Sequence, residues 1–208
     1  MANPSTRLNR VAVAGLTLLA AGCAAAPAPH AVPGHAALKT ALLTRREIGP
    51  GFQSPGPMLS LEAKAPADTC AGGWVPAGNA DKATATYQSG GTASWLATET
   101  LMTGRVATLD RDVRELAAQA VQCPHFTQVI GGTPLVMDNA PVPLPALGDS
   151  RAAILSTVDP GRTAIYNDIA AVRMGRVLVT VLYSGPRPAP RAFTAVVRAA
   201  CARAAALG

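Results

Sequence analysis

Between residues 38 and 208 the spacing of hydrophobic positions switches repeatedly between helical and strand periods. Near the end, Phe193, Val196, Val197, Ala200, Cys201 and Ala204 fall on one helical face and predict an amphipathic helix from about Pro190 to Leu207. A second stripe, Leu109, Val113, Leu116, Ala117 and Ala120, predicts a helix over Thr108–Gln122, with Thr108 or Asp110 as its cap and Cys123-Pro124 as its stop. Before it, Ala83–Tyr87 and Ala93–Met102 read as strands of a hairpin turning through Ser89-Gly90-Gly91-Thr92. After it come strand patterns at Phe126–Ile130, Pro134–Met137, Ala152–Val158, Ala164–Val172 and Val177–Tyr183. Gly131-Gly132, the proline-rich Val142–Gly148, Pro160-Gly161 and Met174-Gly175 separate them. A short helix is expected in Leu42–Ile48, where Thr44 and Glu47 have capping-box spacing and Gly49-Pro50-Gly51 is the stop. Another is expected near Pro66–Cys70. Strands joined by short turns favour antiparallel pairing. Two amphipathic helices must bury their stripes, and the expectation is an α+β, two-layer single domain with both on one face of the sheet.

The first residues have a different character. Arg7 and Arg10 precede an unbroken apolar and small run from Val11 to Ala21, about half of what a membrane-spanning helix needs. It reads as the core of a signal peptide. The following Leu19-Ala20-Ala21-Gly22-Cys23 resembles the lipobox of bacterial lipoproteins, in which the cysteine becomes the diacylated N-terminus. Two acyl chains satisfy the requirement for stable anchoring. The alternative is an ordinary secretory signal cut near Ala24–Ala26. Residues 23–37, rich in alanine and proline and carrying His30 and His35, read as an extended tether, so the expected division is 1–22, 23–37 and 38–208.

Charge and cysteines narrow the picture. The 208 residues carry 18 basic and 12 acidic side chains, with no basic-aromatic stripe of the kind nucleic acid demands. Export makes disulfides available to Cys70, Cys123 and Cys201. Cys201 belongs to the last helical stripe, where a small buried thiol fits. The expected pair is therefore Cys70–Cys123. No cysteines have metal-ligand spacing, and no cofactor fingerprint is present.

Several segments taken in order carry a resemblance: Leu42-Leu43-Thr44 with Glu47-Ile48-Gly49, the surroundings of Cys70, and Val121-Gln122-Cys123-Pro124-His125-Phe126. Leu144-Pro145-Ala146-Leu147-Gly148-Asp149-Ser150, Arg173–Val181 and the closing helix complete the set. Together they resemble the sensor-domain lipoproteins of actinobacteria, which are similar to the extracellular domain of PknH-type serine/threonine kinases. The resemblance implies a curved antiparallel sheet with a cleft, disulfide stapling, and a sensing or ligand-binding role without catalysis. Any signalling then needs a separate membrane partner.

Few residues could carry enzymatic chemistry. His125 would need a free thiolate or a carboxylate partner, and Cys123 is the expected disulfide half. Glu62, Asp138, Asp149, Asp159 and Asp168 could supply a carboxylate pair, but Asp149 and Asp159 stand in turn chemistry. The expectation is a non-enzymatic membrane-tethered domain that takes a small-molecule or cell-envelope ligand. Trp95, Tyr87 and Asp149 are its candidate cleft residues. A cell-envelope hydrolase, or a module docking a membrane protein, are the alternatives.

Overall fold

The computed structural model describes residues 32–54, 70, 74–77, 81–90, 94–130, 133–159, 161 and 163–207. The lipobox with Cys23, His30, Glu62 and most of the short helix expected before Cys70 lie outside the described residues. Ala31–Gly208 form one compact unit with their own hydrophobic clusters, the property that lets a domain fold alone.

The chain runs α1 (His35–Ala41), α2 (Arg45–Ile48), β1 (Phe52–Gln53), β2 (Lys82–Ser89), β3 (Leu96–Thr103) and α3 (Val106–Gln122). Then follow β4 (His125–Ile130), β5 (Thr133–Pro141), β6 (Ser150–Asp159), β7 (Ile165–Met174), β8 (Val177–Gly185) and α4 (Pro190–Ala205). The described strands form one sheet in the order β1-β2-β3-β8-β7-β6-β5-β4, with every neighbouring pair antiparallel. Helix α3 carries the chain from β3 to the far edge. A meander from β4 returns until β8 pairs with β3, Leu96 opposite Ser184 and Thr103 opposite Val177. The fold is α+β, in one domain.

The two long helices do not share a face, which corrects the two-layer expectation. Residues of α4 pack with Ala97, Leu101, Ala153, Ala170, Val172, Val177, Val179 and Val181. Residues of α3 pack with Met102, Ile154, Ala171 and Leu178, helped by Ala152 and Ile169. These sets alternate along β6, β7 and β8, and successive strand residues point to opposite faces. The sheet centre is therefore covered on both sides, with α3 on one and α1 and α4 on the other. Both stripes need a hydrophobic surface, and the central strands offer one at each parity. Leu109 and Leu116 of α3, and Phe193 of α4, are fully buried. Burial of each such side chain contributes about 1.5–3 kcal/mol.

Local signals explain the ends of the elements. The Glu47 carboxylate accepts the Thr44 backbone N–H at 2.7 Å and its hydroxyl at 2.8 Å, so the expected capping box starts α2. Helix α3 instead begins after Arg105 without a side-chain cap; Thr108 and Asp110, the expected caps, lie inside its first turns, and Asp110 bonds to Ser150 and Arg173. Helix α1 starts at His35, inside the stretch read as tether. Leu38 and Ala41 anchor it in the core, and His35 Nδ1 lies 2.8 Å from the Lys82 carbonyl.

Candidate functional site

The face bearing α1, α2 and α4 holds the most unusual chemistry. Glu99 lies on β3 between Ala97 and Leu101, at the inward parity, and is 1 % exposed. One carboxylate oxygen accepts the Leu43 N–H at 2.6 Å, while the other has no hydrogen-bond partner. Burial pushes its pKa up to about 7, against the pull of the Leu43 N–H and Arg203. The neighbouring strand brings in Tyr87, whose hydroxyl donates to the Leu43 carbonyl at 2.6 Å. Both polar groups of the Leu43 peptide, at the α1–α2 junction, are thus held by side chains from the sheet. Burial, with Glu99 close by, raises the Tyr87 phenol and pushes the Cys201 thiol up to about 12.

Arg203 of α4 closes this corner. Its guanidinium donates to the Ala41 carbonyl at 3.0 Å and the Thr40 carbonyl at 2.6 Å, and it pairs with Glu47 at 3.3 Å. It therefore satisfies carbonyls at the end of α1 that the short helix leaves free. Burial works against the Glu47 charge, yet the Thr44 hydrogen bonds and Arg203 hold that carboxyl below its ordinary value. Between α1 and α4 runs a groove of about 590 Å³, lined by Ala37, Thr40, Ala41, Ala202, Arg203, Ala206 and Leu207.

The three expected cleft residues do not come together. Tyr87 is buried beneath Leu43. Trp95, just before β3, packs against Tyr183 with ring centroids 5.3 Å apart and lies so close over Gly185 that a Cβ there would stand 2.1 Å from its ring. Phe52 extends this aromatic group, 6.1 Å from Tyr183. Asp149 is at the opposite end of the strands. It accepts Arg173 Nη1 at 2.8 Å and the Gly175 N–H at 2.7 Å, so it clips the β7–β8 turn. Arg173 also donates to Asp110 of α3 at 2.6 Å, and Ser150 donates to the same oxygen at 2.6 Å. The Ser150 hydrogen bond and Arg173 lower the Asp110 carboxyl. Gly148 must be glycine: its φ is +58°, and an added Cβ would meet the Arg173 carbonyl oxygen at 2.3 Å. The Leu144–Ser150 and Arg173–Arg176 motifs are thus two halves of one structural clasp tying α3 to the meander.

The remaining candidates are dispersed. Cys70 and Cys123 are joined by a disulfide, and Cys201 is buried and free. His125 and Asp138 face each other across β4 and β5, 2.6 Å apart, and both are exposed near the sheet edge. The Asp159 carboxylate accepts the Gly161 N–H at 2.6 Å, the turn role its position suggests. Asp168 is buried and accepts the Ala189 N–H at the start of α4; burial still raises its pKa. Among the described residues no group of three His, Cys, Asp or Glu gathers as a metal site would require. Glu99 and Arg203 were not singled out from sequence. A signal existed for Glu99, since the period of two that buries Ala97 and Leu101 buries it as well.

Neither known family models nor curated proteins match this chain. A solved structure does: the extracellular domain of PknH from Mycobacterium tuberculosis, with a TM-score of 0.65 at 13% identity, covering 85% of this chain and 99% of that one. The class is thus that of an α+β domain sharing the fold of a kinase's extracellular domain. At this identity the likeness is one of fold.

Proposed function

We propose that this chain is a lipoprotein held through Cys23 at the outer face of a cytoplasmic membrane, and that its domain binds a small, largely apolar ligand without transforming it. The observation that carries the reading is the α1–α4 groove. Its roughly 590 Å³ falls within the range of small-molecule sites, and its walls are alanine, leucine and threonine. The one ionised group along it, Arg203, is already committed to Thr40, Ala41 and Glu47. A ligand here would meet apolar walls and a fixed positive edge, an arrangement suited to holding rather than to bond cleavage. The fold shared with an extracellular domain supports an extracytoplasmic, sensor-like role.

The test is binding of a fluorescent fatty acid to the unlipidated chain and to Ala202→Trp, which fills the groove from an exposed position. The expected result is saturable binding that Ala202→Trp abolishes with the melting temperature unchanged. Equal binding by both proteins refutes the groove as the site.

The His125–Asp138 pair favours a second reading, a cell-envelope hydrolase. Its imidazole is oriented by a carboxylate, as a general base would be. The adjacent Cys123 is held in the disulfide, so it offers no thiolate. This reading requires turnover of a cell-envelope substrate that His125→Ala removes.

A further inference from the structure

We infer that the layer formed by α1, α2 and α4 lies against an anionic phospholipid surface. Charge is divided unequally between the two faces of the sheet. Helices α1, α2 and α4 carry Lys39, Arg45, Arg46, Arg191, Arg198 and Arg203 against a single acid, Glu47. On the other face, α3 carries Arg111 and Arg114 against Asp110, Asp112 and Glu115. Asp112 is fully buried and Arg173 pairs with Asp110, so the α3 side has no comparable excess of either sign, and the basic excess is concentrated on the other layer. Glu47 cancels one of these cations, Arg203, with which it pairs at 3.3 Å, and leaves five.

The shape of the layer suits a planar partner. The outward positions of α4 are Arg191, Ala195, Arg198, Ala202 and Ala205, all exposed, so guanidinium groups alternate with side chains too small to hold headgroups away. Lys39, Arg45 and Arg46 are exposed beside them. Arg45 and Arg46 line a concavity of about 490 Å³ that continues to Gln53. Such groups attract anionic headgroups by about 1 kcal/mol for each cation near the surface, an attraction that salt screens.

A bilayer, rather than a dissolved polyanion, is selected by where the chain enters the domain. Helix α1 begins at His35, in this layer, and eleven residues, 24–34, separate it from Cys23. Fully extended, that length reaches about 40 Å. A lipid on Cys23 therefore leashes the domain by its basic layer. This last step rests on the lipoprotein reading above; the charge argument does not.

The experiment uses the chain without residues 1–23, so no lipid contributes. It is sedimented with vesicles of phosphatidylcholine alone and of phosphatidylcholine with phosphatidylglycerol. The expected result is binding only when phosphatidylglycerol is present, weakening as salt is raised. Arg191→Gln with Arg198→Gln should weaken it about 30-fold, about fivefold per cation. Arg111→Gln with Arg114→Gln on α3 should leave it within about twofold. Binding to neutral vesicles, equal losses in the two double variants, or capture by a soluble anionic glycopolymer but not by vesicles would overturn the proposal. Intact mass of the membrane-extracted full chain reports separately whether Cys23 is acylated. A chain found unlipidated thus removes the leash and leaves the vesicle result to be judged alone.

Discussion

Replacing Glu99 by glutamine should reshape the pH dependence of stability. Glu99 is 1 % exposed, with a pKa of about 7 in the folded chain against an ordinary 4.5. The folded value is raised, so the folded state binds more protons than the unfolded one between these two values. Stability is therefore greatest in acid and falls as pH climbs through the window. About 2.5 units at about 1.36 kcal/mol each give a full cost of about 3 kcal/mol, most of it incurred between pH 5 and pH 8. Glutamine keeps an acceptor for the Leu43 N–H and cannot ionise. Urea unfolding, followed by the fluorescence of Trp74 and Trp95, should show wild type losing about 2–3 kcal/mol relative to Glu99→Gln from pH 5 to pH 8. In melting temperature this is about 5–10 °C for a domain of this size. Asp168, also raised by burial, imposes a slope of the same sign on both proteins and cancels in the difference. Glu47 and Asp110, lowered in the folded state, act below this window. Parallel curves for the two proteins from pH 5 to pH 8 would refute the reasoning.

Other expectations follow from the same contacts. The Cys70–Cys123 disulfide closes a separation of 53 residues, so Cys70→Ser with Cys123→Ser should cost up to about 4 kcal/mol in urea unfolding at pH 7. Cys201 is buried, with its thiol pushed up to about 12; in the chain without residues 1–23, iodoacetamide at pH 8 should label it only after unfolding, read as one adduct by mass before reduction. Gly148→Ala should cost more than about 2 kcal/mol, since a positive φ and a backbone clash combine there, while Gly161→Ala, with open space around it, should cost less in the same assay. Asp138→Asn breaks an exposed pair and should shift stability by under about 1 kcal/mol.

Much of the architecture was legible because its signals are local. The α4 stripe from Phe193 to Ala204 is the buried set observed, and the α3 stripe is recovered with Ala117 turned outward. The capping box at Thr44 and the glycine-bearing β7–β8 turn were likewise readable from a few residues. The clasp of Asp110, Asp149, Ser150 and Arg173 was not, because it joins positions up to 63 residues apart. Nothing in the spacing of Asp110 distinguishes a helix cap from a partner of β7. The groove has the same origin, since α1 and α4 come from opposite ends of the domain and meet only in the folded chain.

The layering error has a cause that the strands themselves display. Strand β2 alternates cleanly, Ala83 and Tyr87 inward and Thr84 and Thr86 outward, and those threonines pair with Thr100 and Thr98 on the face α3 leaves open. Strands β6 to β8 do not alternate: Ala152, Ala153 and Ile154, then Ile169 to Val172, then Val177 to Val179 are apolar at both parities. A strand wet on one side must alternate, whereas one covered on both sides need not. The loss of alternation toward the sheet centre was therefore the trace of a second helical layer. It bears on function as well. Because α3 is committed to the core and to the Arg173 clasp, the basic layer is the broad helical surface that offers itself to a partner. A groove for an apolar ligand and a face for an anionic bilayer share that layer, and Arg198, which is not part of the groove lining, separates them experimentally.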